Sequence, residues 1–312
     1  MSHKTNPLTH FSLPRNLGYW LRLVGFFVLA QTVALISLPL LMGAAAMLGL
    51  LYAPCHGSQA TPADYGYEWE DVTLPARIGG RFQGAFIPGP NGATIIMPPT
   101  GSADISARLP EAAMLRQHGY SVFIYESRRC ADLGPLSLGY DEVNEIADVL
   151  DYLRTHQDVD PERIGIHGFS MAGAMAIMAA ARYPALRAVV AEGGYGDFTE
   201  NAINPGAGRG WRAYFRQLFV WSTRLTYRLV TGFGLEVLSP VSVIGELNPR
   251  PVLLIYGSQE PSLAGGRLQE TAGGDNTELW IVPGAGHGNY RQVAPEAYEA
   301  RVIGFFDRTL GK

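Results

Sequence analysis

Cysteine is nearly absent. The chain has two, Cys55 and Cys130. Neither lies in a CxxC pair or at zinc-ligand spacing, which argues against a dithiol centre or a structural metal site. The two read either as unrelated reduced thiols or as one disulfide, depending on which side of a membrane they lie. Charge is sparse as well. Charged residues are 17% of the chain and the net charge is −4, so no nucleic-acid partner is expected. There is no internal repeat or low-complexity tract. The 312 residues fit one α/β domain of roughly 250 residues plus an appendage. Such a domain buries enough core to stand without disulfides or metals. The 37 glycines and 21 prolines are scattered between apolar runs, a pattern of frequent turns rather than disorder.

The longest absence is local. From Leu23 to Cys55 there is no Asp, Glu, Lys, Arg or His. Within it, Leu23 to Leu51 is an apolar run of 29 residues. A spanning helix needs about 20 residues, so this run can cross a bilayer with tilt. Backbone polar groups find no water in lipid, which favours a helix. Pro39 either kinks that helix or marks a hairpin turn. A hairpin leaves only Leu40 to Ala53 for its second arm, too short for a usual span, so one span is favoured. A cleaved signal peptide is the competing reading. Its apolar region is usually about 7–15 residues, much shorter than this run. Lys4, Arg15 and Arg22 precede the run, and Asp64, Glu68, Glu70 and Asp71 are the next fully charged residues after it. The positive-inside rule then puts the N-terminus in the cytoplasm and the rest outside, where a Cys55–Cys130 disulfide can persist. Tyr19, Trp20 and Tyr52 sit at the borders, as interfacial aromatics do. The expected layout is a cytoplasmic segment over residues 1–22, a transmembrane helix over 23–53, a linker over 54–66 and an α/β domain over 67–312.

Short continuous apolar runs fill that domain. They are Ala93–Met97, Ser121–Tyr125, Arg163–His167, Ala188–Ala191, Pro251–Tyr256 and Glu278–Val282. Such runs suit strands covered on both faces. Helix-like spacing separates them over Ala107–Gln117, Tyr140–Arg154, Met171–Arg182 and Pro295–Thr309. Alternation of this kind predicts right-handed crossovers and a doubly wound, mostly parallel sheet. Tyr67–Leu74 and Phe82–Ile87 read as an antiparallel edge hairpin. Ligands bind such sheets at the carboxyl ends of the strands.

Three loops after strands carry reactive residues. Gly168-Phe169-Ser170-Met171-Ala172-Gly173 lies between a strand and a helix, the context of a nucleophile elbow. Gly168 and Ala172 are small two residues either side of Ser170, where bulk would clash. An ordinary Gly-rich turn is the bland alternative. His287, in Pro283-Gly284-Ala285-Gly286-His287-Gly288, is placed to accept the serine proton. His167, at the end of the strand before the elbow, reads as packed. Glu260 follows Gly257-Ser258-Gln259 after another strand, and a carboxylate there would orient the imidazole. Asp197 is the rival acid. The oxyanion donors expected are the backbone N–H of Met171 and that of Gly101, with Thr100 second, because Pro98 and Pro99 have none.

Together these residues resemble the α/β-hydrolase superfamily over about Tyr67 to Leu310. Asp160-Pro161-Glu162-Arg163-Ile164-Gly165 before the elbow, and Pro249–Ile255 before the acid loop, are similar to dienelactone-hydrolase-type and serine-aminopeptidase-like members. The resemblance implies an eight-stranded sheet, a Ser-acid-His triad and acyl-enzyme chemistry without a cofactor. In such proteins a cap often occupies the place of residues 198–248. Here that stretch carries Trp211, Tyr214, Trp221, Tyr227 and Phe233, with Arg212, Arg216, Arg224 and Arg228 between them. It reads as an apolar lid, as an amphipathic helix packed on the sheet, or as a basic face toward anionic lipid.

The expected activity is hydrolysis of an ester or other acyl bond near a membrane. The partners are a small-molecule or lipid-like acyl substrate, and membrane lipid around the N-terminal helix. A peptidase is the nearest alternative and needs a recognition site for an amine terminus. A membrane-tethered binding module that kept the fold without catalysis is the alternative of another class.

Overall fold

The computed structural model describes residues 16–199 and 210–311. Most of the expected cytoplasmic segment, and residues 200–209 of the expected cap, lie outside the described residues. Helix α1 is Leu17–Leu51, one helix of 35 residues with Pro39 inside it and no hairpin turn. It begins before Leu23 because Tyr19, Trp20 and Arg22 are all compatible with helix. It ends before Ala53, where the Leu51 carbonyl accepts from Leu136 N at 2.8 Å and Pro54 lies just ahead. By length and composition it can cross a membrane.

The stretch read as a linker is fastened rather than free. Cys55 and Cys130 form a disulfide. His56 pairs as a β-bridge with Ala103. Pro62–Tyr65 is a 3-10 turn whose start is closed by the Thr61 and Asp64 side chains.

The remaining elements run in chain order. They are β1 (Glu70–Pro75), β2 (Arg81–Ile87), β3 (Thr94–Met97), α2 (Leu109–Gln117), β4 (Ser121–Tyr125) and α3 (Val143–Leu153). Then come β5 (Ile164–Phe169), α4 (Met171–Arg182), β6 (Leu186–Glu192), α5 (Trp211–Thr231) and α6 (Pro240–Val243). The chain closes with β7 (Val252–Gly257), α7 (Leu263–Gly273), β8 (Thr277–Val282), α8 (Tyr290–Val293) and α9 (Pro295–Leu310). The strands form an eight-stranded sheet in the order β1-β2-β4-β3-β5-β6-β7-β8. Strands β3 to β8 are parallel; β2 is antiparallel to both β1 and β4. This is the α/β-hydrolase fold.

Alternation along each strand divides the core. Phe123 and Tyr125 of β4 meet Ile146 and Val149 of α3 and Met175 of α4 on one face. Val122 and Ile124 meet Leu109 and Leu115 of α2 and Phe306 of α9 on the other. A third cluster lies off the sheet. Met47 and Leu51 of α1 join Tyr227 of α5, Leu138, Leu235 and Leu238. The aromatic insertion is therefore mainly one helix, α5, packed against α1 instead of the sheet. Gly43 comes so close to the Phe219 carbonyl that a Cβ there would collide. Ser222 Oγ donates to the Leu40 carbonyl at 2.5 Å. Arg212, Arg224 and Arg228 are exposed.

Candidate active site

Strand β5 turns directly into α4 at Ser170, which is held at φ +58° and ψ −124°. That is a costly region for a residue with a Cβ, and it lifts the hydroxyl clear of the sheet. The Ser170 N–H donates to the Glu192 carbonyl of β6 at 2.7 Å, which fixes the turn. The turn leaves no room behind it. A Cβ on Gly168 would collide with the Ala172 carbonyl, and one on Gly173 would lie 2.7 Å from the Glu192 carbonyl. Ala172 itself is accommodated, fully buried.

The loops after β7 and β8 meet this turn. His287 Nε2 is 3.0 Å from Ser170 Oγ. His287 Nδ1 is 2.6 Å from Glu260 Oε1. The imidazole stays nearly half exposed, at 45% of its side chain, while the Glu260 side chain is 1% exposed. Burial of that carboxylate favours the neutral acid. The opposing donors prevail: the His287 ring, Gly257 N–H, Ser262 hydroxyl and Tyr290 hydroxyl together hold Glu260 below the ordinary carboxylate range. Gly257 N donates at 2.9 Å, and Ser262 and Tyr290 each at 2.7 Å. Hydrogen bonds to a charged group contribute about 1.5–3 kcal/mol each. An ionised Glu260 keeps the imidazole proton on Nδ1 and turns the Nε2 lone pair toward Ser170.

Ser170, His287 and Glu260 are thus one hydrogen-bonded chain. Asp197 instead accepts from Thr199, N–H at 2.8 Å and hydroxyl at 2.6 Å. His167 is buried, with Nε2 2.8 Å from Glu192 Oε1. Met171 opens α4, and Thr100, Gly101 and Met171 all line the cavity in front of Ser170. That cavity has a volume of about 550 Å³. Its wall is mostly apolar, from Leu136, Leu138, Phe198, Tyr195 and Pro261.

Sequence reasoning missed several contributors. Tyr290 is hidden in a short helix after the His loop, and nothing in its spacing marks it. Gly193 follows β6 at φ +57°, and a side chain there would press on Tyr290, Glu260 and His287 together. Its Gly193-Gly194 pair was the available signal. Leu50, Ala53 and His56 reach the cavity from the end of α1 and the segment beyond. His56 Nδ1 is 3.1 Å from Ser102 Oγ.

A strained serine at a strand-to-helix turn, a histidine after the last strand and an eight-stranded, mostly parallel sheet define an α/β hydrolase. More specifically, the prolyl oligopeptidase family matches residues 111–312. That is more than half of the chain, and the chain belongs to this family. It is similar to the uncharacterized protein YfhR of Escherichia coli, 24% identical over 201 residues, covering 61% of this chain and 63% of that protein. The YfhR of Salmonella typhi is 26% identical over 167 residues, covering 47% of this chain and 56% of that protein. The chain therefore spans less than two thirds of the length of these curated relatives. Among solved structures it is similar to the esterase Pf2001 of Pyrococcus furiosus, with TM-score 0.65 and 20% identity, covering 83% of this chain and 99% of that one. A puromycin-hydrolyzing peptidase of Mycobacterium tuberculosis gives TM-score 0.61 and 17% identity, covering 81% of this chain and 42% of that one. At these identities the structures speak for the fold.

Proposed function

We propose that the protein is a membrane-anchored serine hydrolase that cleaves an ester or other acyl bond through an acyl-enzyme on Ser170. The observation that carries this is the Ser170–His287–Glu260 chain, with links of 3.0 and 2.6 Å, at the mouth of an apolar cavity. Ser170 Oγ attacks the substrate carbonyl carbon as its proton passes to His287 Nε2. Glu260 stabilises the imidazolium that forms. The backbone N–H of Met171 and that of Gly101 hold the oxyanion. The intermediate collapses as the leaving group departs with the proton from His287. Water, deprotonated by His287, then cleaves the acyl-enzyme and frees the acid.

A peptidase is the second reading, and the family's name and the puromycin-hydrolyzing relative in fold favour it. Among the described residues lining the cavity, Glu260 is the only carboxylate, and it is already engaged by four donors. Among the described residues no second cavity-lining carboxylate is present to hold an amine terminus, and the mostly apolar wall favours the ester reading.

The anchor reading draws on α1 itself. From Gly18 to Leu38 the helix is exposed apart from partial cover at Leu23 and Ser37, a length of roughly 30 Å, the thickness of a bilayer core. Pro39, Gly43, Met47 and Leu51 are buried against the domain. Cleavage as a signal peptide would discard that packing. Flanking charge favours the catalytic domain outside the cytoplasm, and the Cys55–Cys130 disulfide suits that side.

Labelling of the full-length protein with a fluorophosphonate tests the catalytic reading. Wild type should label, while Ser170→Ala should not and His287→Ala should label at least about 10³-fold more slowly. A folded wild-type protein that does not label would overturn the reading in favour of a membrane-tethered binding module.

A further inference from the structure

The wall of the Ser170 cavity is in part helix α1. Leu50, one residue before the end of α1, and Ala53, two beyond it, both line the cavity. Across from them Met171, the residue after the nucleophile, packs on the apolar cluster that contains Met47 and Leu51 of α1. The pocket and the helix end are one continuous hydrophobic body.

Below the pocket the surface of α1 stays apolar and open. Leu38, Met42, Ala46 and Leu50 follow one another at four-residue steps, and all are exposed. Residues four apart are neighbours on a helix face, so these side chains form an unbroken strip. Its lower end lies in the segment of bilayer length, and its upper end is the cavity wall. No charged residue interrupts it, because α1 has none after Arg22. Beside the strip, α5 exposes Trp211, Tyr214, Trp221 and Leu229 together with Arg212, Arg224 and Arg228. Aromatic rings interleaved with arginines suit the boundary between acyl chains and anionic head groups.

We propose that the substrate is an ester of a bilayer lipid, whose acyl chain travels along the α1 strip beside α5 and lies against Leu50, Ala53, Leu138 and Phe198 during hydrolysis. This rests on the serine-hydrolase reading and names its substrate class. The bond balance is that of any ester cleavage: the acyl carbon bonds to Ser170 Oγ, the lipid alcohol leaves with the proton from His287, and water releases the fatty acid.

Two arms test it, both on the full-length protein in phosphatidylcholine vesicles. The first uses the Ser170→Ala variant and a phosphatidylcholine with a diazirine near the end of its acyl chain, so it does not depend on hydrolysis. After irradiation, crosslinks should fall on Leu50–Ala53 and on Leu138 or Phe198 as well as on the membrane-length part of α1. Leu50→Trp should cut the pocket crosslinks about tenfold, the effect of losing room for about two methylenes. Crosslinks confined to residues 18–38 would overturn the proposal. The second arm compares dodecanoyl and acetyl esters. In wild type the rate should follow the mole fraction of long-chain ester in the bilayer rather than its bulk concentration. In Leu50→Trp the ratio of kcat/KM for dodecanoyl over acetyl ester should fall about tenfold. An unchanged ratio, or a wild type that prefers acetyl ester, would sink the lipid assignment and leave an esterase for soluble substrates. Pocket crosslinks without any fluorophosphonate labelling of wild type would instead refute the hydrolase reading and leave a lipid-binding site.

Discussion

Replacing Gly193 with alanine probes the candidate site from a position that does no chemistry. Gly193 sits at φ +57°, where a Cβ costs about 1–2 kcal/mol. The side chain adds a second effect. An ideal Cβ would lie 2.7 Å from Glu260 Oε1 and 2.9 Å from His287 Nδ1, and it would also crowd the Tyr290 hydroxyl. Non-bonded heavy atoms settle at about 3.5 Å or more, so these groups must retreat by about 0.6–0.8 Å. The backbone cannot easily yield in their place, since Gly193 N donates to the Ile255 carbonyl at 2.9 Å. Misplacement of a reacting group by about 1 Å costs about 10²-fold in rate. The expected result for Gly193→Ala is a kcat/KM on an activated ester about 10²-fold below wild type, with Tm lower by about 2–8 °C. Gly274→Ala is the control. Gly274 has φ +66° and open space around its Cβ position, so it carries the strain without the collision. It should lose stability and keep its kcat/KM. Folded Gly193→Ala protein within about threefold of wild-type kcat/KM would refute the argument that the His287–Glu260 pair serves hydrolysis.

Glu145, buried beside Arg128, should show in the pH dependence of stability. Burial, helped by Glu142 and opposed by Arg128, pushes Glu145 up to about 8. Its folded value lies above the unfolded one, so its contribution is full below about pH 4.3 and is lost as pH rises through about 8. Urea midpoints measured from pH 5 to pH 8.5 should fall in wild type and fall less in Glu145→Gln; parallel curves would contradict the shift. Replacing both Cys55 and Cys130 with serine opens a loop of 75 residues, and chain entropy puts the loss at up to about 4.5 kcal/mol. The same change frees His56 and the Thr100–Ser102 loop beside it, so ester turnover should drop along with Tm. A double variant with wild-type Tm would show that the crosslink contributes nothing to the fold.

Much of this architecture is legible in the sequence because parallel strands leave a coarse mark. Ser121–Tyr125 and Met171–Arg182 are read to the residue, since each is bounded by turn or reversal. Glu260 stands out in the sequence by its place three residues past the Gly257 that ends a strand, and in the structure its carboxylate accepts the Gly257 N–H. The seating of α1 is not legible. Gly43, Met47 and Leu51 touch protein while Leu35 and Leu41 do not, yet all are apolar, and a period cannot be read where every position is. The sequence of helix α5 leaves sheet, lid and lipid open as partners, because its mixed aromatic and arginine faces suit each, and its partner is α1. With two cysteines, Cys55–Cys130 is the one disulfide the sequence allows, and the path of the backbone decides that it forms.

The division of α1 at Pro39 has a consequence for how its length can vary. Above that point the buried positions repeat every four residues and face a fixed partner. Adding one residue there would swing everything below by about 100°, so only whole turns can be added or removed without unseating the stripe. Below that point the helix has no preferred face. Single residues can come and go there, and what they alter is the helix's length, by about 1.5 Å each. One continuous helix therefore obeys two rules of insertion and deletion, tolerant in its first half and quantised in its second.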